Sequence, residues 1–180
     1  NRNRFNSLHH LIRIDNKMKI KFLQYFILTM PLWFASCKSD ELVLGDSDYL
    51  VFGRYYGECM GENCVETFKL QSDKLLEDTL DVYPMVVSTI YYNGKFVTEI
   101  SKEKFDSVKD IVNYFPEELL NVSDRVIGQP DAGDWGGLYV EYNFNGVRKC
   151  WFIDQMKSNV PTQYHNFIDK VNEKIDIIQK

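Results

Sequence analysis

The chain has 180 residues, of which 44% are hydrophobic, and its formal net charge is −5. Residues 1–36 hold six of the 21 basic residues and one of the 26 acidic ones, so residues 37–180 carry 15 basic against 25 acidic residues, a net charge of −10. A surface this acidic repels phosphate groups, which argues against a nucleic-acid partner. The length that remains suits one domain.

Residues 18–37 have the layout of a secretory signal. Lys19 and Lys21 form a basic start, residues 22–34 are mostly apolar, and two small residues precede Cys37. The apolar run is shorter than the roughly 20 residues of a membrane-spanning helix. We therefore predict a signal peptide over residues 18–36, with a retained membrane anchor as the weaker alternative.

The residues next to Cys37 indicate which class of secretory signal this is. Phe34-Ala35-Ser36-Cys37 resembles the bacterial lipobox, in which the thiol is alkylated with diacylglycerol and the chain is cut just before the cysteine. The family pattern has Leu where this chain has Phe34, so a plain secretory signal is the alternative. The resemblance implies a mature protein that begins at Cys37 and is held on the membrane by acyl chains such as palmitate.

The segments around the signal are expected to lie outside the folded domain. Residues 1–17 are basic and without Met, and we interpret them as an upstream extension rather than a targeting or nucleic-acid arm. Residues 37–47 are interpreted as an acylated tether. Within it, Lys38-Ser39-Asp40-Glu41 resembles the acidic signal that sends Bacteroidetes lipoproteins to the cell surface. We expect an outer-membrane lipoprotein exposed at the surface, with a periplasm-facing location as the alternative.

Three hairpins are predicted in the domain, residues 48–180. Aromatic and β-branched residues predict strands at 49–56 and 65–70, joined by a turn that contains two cysteines. Asn93-Gly94 and Asn145-Gly146 each lie between strand-like stretches. Asn-Gly favours a hairpin because both turn residues need positive φ.

Two amphipathic helices complete the domain. Ser101 is a suitable N-cap, and apolar residues recur at helical spacing up to Phe115, before Pro116. Residues 122–136 are predicted to be a long loop. Pro161 then suits the first turn of a closing helix, whose apolar stripe is Tyr164, Phe167, Ile168, Val171, Ile175 and Ile178. The predicted fold class is α+β: an antiparallel sheet built from hairpins, with both helices packed on one face.

This order of elements resembles small Bacteroidetes lipoproteins of unknown function. The most recognisable parts are residues 57–64 (Gly-Glu-Cys-Met-Gly-Glu-Asn-Cys), residues 130–137 (Pro-Asp-Ala-Gly-Asp-Trp-Gly-Gly) and the closing helix. The resemblance would cover roughly residues 49–178. It implies a fold and a location, but no activity.

The cysteines predict one disulfide. With Cys37 acylated, an oxidising compartment favours pairing of Cys59 with Cys64, which leaves Cys150 as a buried thiol. A bond from Cys150 to Cys59 or Cys64 is the alternative. A thiol metal site is weaker, because no further Cys or His lies at the required spacing.

The loop from Asp131 to Gly137 is the other candidate site. Asp131 and Asp134 in a glycine-rich loop are a weak candidate for Ca²⁺, although Asp and Gly also build turns without a metal. Trp135 would be an exposed platform for a sugar or a partner protein, or would fold back onto the sheet edge.

No set of catalytic residues is recognised. His165 is the one histidine after Cys37, and no Gly-x-Ser-x-Gly or dinucleotide motif is present. We therefore expect a non-enzymatic binding domain without a cofactor, acting on an unknown envelope protein or glycan. The contact surface would draw on Tyr55, Tyr56, Tyr91, Tyr92 and Trp135, with the alternative that most of them belong to the core. The alternatives are an enzyme that uses the Cys59/Cys64 turn or the Asp131/Asp134 loop, and an inhibitory or structural partner of another envelope protein.

Overall fold

A computed structural model describes residues 43–85 and 91–180. The predicted signal peptide, the lipidation site Cys37 and the start of the tether lie outside the described residues. In these two ranges, no helix is both long and apolar enough to cross a membrane.

Within the described residues, seven strands form one open sheet in the order β4-β3-β2-β1-β6-β7-β5. They are β1 (Tyr49–Tyr55), β2 (Val65–Leu70), β3 (Leu75–Asp78), β4 (Phe96–Glu99), β5 (Val126–Ile127), β6 (Gly137–Phe144) and β7 (Val147–Asp154). All neighbouring pairs are antiparallel except β5 and β7, which are parallel. The short β5 lies in the segment predicted to be a loop.

In the part of the chain that the structure describes, two α-helices accompany the sheet, α1 (Lys102–Val108) and α2 (His165–Gln179), and the α+β class is confirmed. Short 3₁₀ helices cover Glu62–Cys64, Lys109–Tyr114, Glu117–Asn121, Lys157–Asn159 and Thr162–Tyr164. The Ser101 hydroxyl accepts a hydrogen bond from the Lys104 amide at 3.4 Å, so the predicted N-cap is confirmed. The predicted helix reaches Phe115 only as a 3₁₀ continuation. Phe115 is extended, as a residue before proline prefers to be.

The two Asn-Gly pairs behave differently. Asn145 and Gly146 have φ of 49° and 78° and join β6 to β7, as predicted. The hairpin predicted at Asn93-Gly94 is not confirmed: residues 91–95 are not in a strand, and β4 pairs instead with β3, from the stretch expected to be irregular. The Asp78 carboxylate accepts hydrogen bonds from the Lys95 amide and the Tyr92 hydroxyl and so holds this segment. Residues 86–90, which would have supplied the other strand, lie outside the described residues.

Buried apolar side chains form two clusters. The larger contains the stripe of α2 and the buried residues of α1 and the following 3₁₀ helix, together with strand residues Leu50, Phe52, Phe68, Leu70, Leu75, Leu138, Val140, Tyr142, Trp151 and Ile153. The smaller contains Val51, Tyr55, Val65, Tyr139, Cys150 and Phe152. Residues of the two clusters alternate along β1, β6 and β7, so the clusters lie on opposite faces of the sheet.

The packed structure begins before the predicted boundary at Asp48. Leu44 is buried and belongs to the larger cluster. The Asp48 carboxylate accepts hydrogen bonds from the Gly45 amide at 3.0 Å and the Asn145 amide at 2.9 Å. Residues 44–48 are thus fixed against the β6–β7 turn.

Removing Trp151 should destabilise the fold strongly. Trp151 is 1% exposed and its ring lies 5.8 Å from that of Phe115. We expect Trp151→Ala to lower the free energy of unfolding by about 3–5 kcal/mol. Val147→Ala, on the same strand but at a side chain 59% exposed, should change it by less than about 1 kcal/mol. Urea unfolding measures both, and equal losses would contradict this description of the core.

Candidate functional site

The sheet face that carries the smaller cluster is rich in tyrosine, and we call it the tyrosine face. Its tyrosines are Tyr49, Tyr55, Tyr83, Tyr91, Tyr92 and Tyr139. Three of them come from β1 and β6, where alternate residues point to one side of the sheet. The other three, Tyr83, Tyr91 and Tyr92, come from the segments before residue 86 and after residue 90. These three side chains pack against the smaller cluster. Of the predicted contact residues, Tyr55, Tyr91 and Tyr92 belong to this cluster.

A buried carboxylate lies at the centre of the tyrosine face. Glu141 is 2% exposed, and its two oxygens accept four hydrogen bonds. Oε1 accepts from the Tyr49 hydroxyl at 2.9 Å and from Arg148 Nε at 2.7 Å. Oε2 accepts from the Tyr139 hydroxyl at 2.5 Å and from Arg148 Nη2 at 2.9 Å. The bidentate guanidinium and the two phenols replace the water that burial removes.

The carboxylate changes the acidity of its donors. Burial, together with the neighbouring Glu141 charge, raises the pKa of Tyr49 to about 12. The same two causes raise the pKa of Tyr139, and the hydrogen bond to Glu141 raises the pKa of Arg148. The phenols therefore remain neutral donors, and Arg148 remains charged, throughout the physiological pH range.

Residues 91 and 92 are held over this face by both of their side chains. The Tyr91 hydroxyl donates to the Arg148 carbonyl at 2.7 Å, and the Arg148 guanidinium lies 4.0 Å from the centre of the Tyr91 ring. The Tyr92 hydroxyl donates to Asp78 at 2.6 Å, and its amide donates to the Tyr139 hydroxyl at 3.1 Å. The segment is thus fixed to strands β3, β6 and β7.

Two cavities open beside this segment. The first, about 350 Å³, is walled by five aromatic residues and by aliphatic ones, and we call it the aromatic pocket; the aromatic residues are Tyr83, Tyr91, Tyr92, Tyr139 and Phe152. The second, about 220 Å³, is walled by polar and charged residues that include Lys69, Glu141 and Arg148, and we call it the basic pocket. Both are bordered by Tyr92 and Asn93, so they adjoin. The first volume lies in the range of small-molecule sites.

Lys69 contributes a second cation to the basic pocket. In the sheet register Lys69 pairs with Val51, and Val51 pairs with Glu141 on its other side. The ammonium lies 3.9 Å from the centre of the Tyr49 ring. Burial lowers the pKa of Lys69, an effect that the charge of Arg148 increases and that of Glu141 opposes.

The cysteines pair as predicted. Cys59 and Cys64 form a disulfide that closes the β1–β2 connection. Cys150 is a buried free thiol, and the Arg125 guanidinium donates a hydrogen bond to its sulfur. Burial raises the pKa of the Cys150 thiol despite that guanidinium. A buried thiol of raised pKa is a poor nucleophile.

The Asp131 carboxylate accepts hydrogen bonds from donors inside and outside its loop. The two Asp131 oxygens accept from the Gly57 amide at 2.6 Å, the Tyr83 hydroxyl at 2.9 Å and the Gly136 amide at 2.9 Å. Asp131 and Asp134 both have positive φ, of 59° and 61°, as Asp in tight turns often does. Asp131 therefore ties this loop to two other segments.

Trp135 folds back onto the sheet edge, the second of the two predicted possibilities. Its indole N–H donates to Asp154 at 2.6 Å. Asp154 is fully buried and also accepts from the amides of Gln129 and Met156 and from the Asn159 side chain. Trp135 is only partly exposed in consequence.

The remaining candidates are not gathered into one site by these contacts. His165 shares a hydrogen bond with the Val160 carbonyl at 2.9 Å, just before its own helix, whereas Asp131 contacts Gly57, Tyr83 and Gly136. In residues 43–85 and 91–180, no group of three or more His, Cys, Asp or Glu side chains is placed to hold a metal ion.

The sequence-based prediction missed the residues at the centre of the face. Glu141 and Arg148 lie on opposite sides of the Asn145-Gly146 turn. The hairpin register set by that turn pairs Arg148 with Asn143, so Arg148 and Glu141 are diagonal neighbours on one face. Lys69 carried no such local signal, because its position depends on the pairing of β1 with β6, which are far apart in the chain.

No protein-family model, curated protein or solved structure matches this chain.

The disulfide should stabilise the domain modestly, because the loop it closes is short. We expect the Cys59→Ala/Cys64→Ala double variant to lose about 2 kcal/mol of unfolding free energy. A mild reductant should destabilise the parent and Cys150→Ala equally, and leave the double variant unchanged. Thiol counting on the denatured Cys37→Ser chain should find one free thiol. Three free thiols under oxidising conditions would contradict the pairing.

Proposed function

We propose that this chain is a lipid-anchored protein of the bacterial cell envelope whose domain binds a ligand or partner on its tyrosine face, without catalysis. The observation that carries the binding role is the pair of adjoining cavities beside Tyr92. One is aromatic and the other charged, the combination by which a binding site both holds and orients a small molecule.

The helices support this use of the tyrosine face. In this proposal both helices cover one side of the sheet, in line with the membership of α1 and α2 residues in the larger cluster. Among the described residues, those that pack on the opposite side from outside the sheet come from segments such as residues 91–92. A face covered by a loop leaves cavities that a face covered by helices would fill.

Two independent features support the location. The pattern of residues 18–37 is that of a lipoprotein signal. The Cys59–Cys64 disulfide is the kind of bond that persists outside the cytoplasm. The proposed address is the outer membrane, with attachment through acyl chains at Cys37, and the proposed partner is an envelope protein or a glycan.

Three observations favour binding over catalysis. The sulfurs of Cys59 and Cys64 are bonded to each other, so neither is available as a thiolate. Cys150 is buried and its pKa is raised. The oxygens of Asp131 already accept three hydrogen bonds. Three of the residues proposed for an enzyme, Cys59, Cys64 and Asp131, are therefore engaged in holding the fold.

The anchor is tested by the intact mass of the protein isolated from the native membranes. We expect a mass that starts at Cys37 and includes the added acyl groups. Cys37→Ser should abolish the acyl mass, since the hydroxyl is not alkylated, whereas the matched change Cys150→Ser should retain it. An unlipidated wild-type mass that includes residues upstream of Met18 would contradict the proposal.

A further inference from the structure

The basic pocket has more positive charge than its own carboxylate requires. Its wall holds the carboxylate of Glu141 and the cations of Arg148 and Lys69. Glu141 and Arg148 form a bidentate pair at 2.7 and 2.9 Å, in which the two charges compensate each other. Both oxygens of Glu141 also accept a phenol hydroxyl. Glu141 attracts Lys69 as well, so among the described charged residues of this wall two cations share one carboxylate, and one positive charge is left over.

The Lys69 ammonium contacts an aromatic ring and, among the described residues, no hydrogen-bond acceptor. Its ammonium rests on the Tyr49 ring, and among the described residues no carboxylate or carbonyl accepts a hydrogen bond from it. Burial lowers the pKa of Lys69 and the Arg148 charge adds to this effect, although the Glu141 charge opposes it. An anion in the pocket would offset this effect.

Arg148 has donors left for the same anion. A guanidinium has five N–H groups, and the contacts with Glu141 use the one on Nε and one on Nη2. The Arg148 side chain is 40% exposed, so its outer edge is accessible. The partner that matches an ammonium and the open edge of a guanidinium is an oxygen anion.

We propose that the basic pocket binds a small oxyanion, the phosphate or carboxylate group of a ligand, between Lys69 and the outer edge of Arg148. The cavity of about 220 Å³ is the volume of several water molecules at about 30 Å³ each, so it accommodates a phosphate. This inference rests on the proposed binding role of the tyrosine face. It does not rest on the acyl anchor, so anion binding can fail while the anchor is confirmed, and the reverse.

The test is calorimetric titration of the full chain, carrying Cys37→Ser, with sodium phosphate and with sodium acetate at constant ionic strength. We expect saturable binding of at least one anion. Binding of phosphate alone assigns a phosphate group, and binding of acetate alone assigns a carboxylate. Lys69→Met should weaken the affinity about tenfold or more, the loss expected for a charge-assisted hydrogen bond, and Lys69→Arg should retain it.

The matched control is Lys102→Met, which removes the same charge from α1 on the helix side of the sheet. It should leave the affinity unchanged. Chemical-shift mapping on the wild type provides a second measurement, independent of whether Lys69→Met folds, and the shifts should centre on Lys69, Val51 and Arg148. No binding of either anion up to about 10 mM, shifts centred elsewhere, or equal affinity in Lys69→Met would overturn the proposal.

Discussion

The buried charge of Glu141 sets the arrangement of the tyrosine face. A carboxylate at 2% exposure is tolerated only because Arg148, Tyr49 and Tyr139 donate to it. A buried ion pair usually adds little net stability over apolar residues of the same volume, although removal of one partner is costly. The Glu141–Arg148 pair therefore adds little net stability to this sheet face. We interpret its role as fixing the orientation of particular side chains.

What the pair fixes is the segment above it. Arg148 also contacts the Tyr91 ring and accepts from its hydroxyl, while the hydroxyl of Tyr139 accepts from the Tyr92 amide. The donors that satisfy Glu141 are thus the groups that hold residues 91 and 92 over the sheet. Tyr92 and Asn93 of this segment line both the aromatic and the basic pocket. Burial of one carboxylate and the formation of two cavities are consequences of the same contacts.

A second buried carboxylate, Asp154 at the end of β7, holds the segments around it. Asp154 gathers the Gln129 amide, the Trp135 indole and the Asn159 side chain, while Asp131 holds Gly57 and Tyr83. These contacts join the loop before β6 to the connection closed by the disulfide. They explain how a glycine-rich loop is ordered by its own carboxylate, Asp131, and by the Asp154 carboxylate at the end of β7.

Local patterns predicted the local elements well. Asn145-Gly146 forms the expected turn, Ser101 caps α1, and the apolar stripe of α2 is buried throughout. Such features depend on residues a few positions apart, which sequence periodicity reports directly. The Asn93-Gly94 hairpin is not confirmed: Asp78, from another part of the chain, holds this segment through Tyr92 and Lys95.

The site was harder to predict than the elements. Glu141 resembles any polar residue of an alternating strand, and its burial follows from a loop that covers the second face. Lys69 reaches the same pocket through the pairing of β2 with β1 and of β1 with β6. Non-local pairing of this kind leaves no periodic signal, whereas the Arg148–Glu141 contact was accessible by counting from a single turn.

The ionisation of Tyr49 tests this account most directly, because it reports both the burial of Tyr49 and the Glu141 charge beside it. Carbon-13 NMR of the tyrosine Cζ atoms, with the Tyr49 signal assigned by Tyr49→Phe, would follow it from about pH 8 to about pH 11. Burial and the Glu141 charge raise the pKa of Tyr49 to about 12, so its signal should remain that of the neutral phenol across this range. A midpoint near the ordinary value of about 10 would show that Tyr49 is not held against a buried charge, and would contradict the account of the tyrosine face.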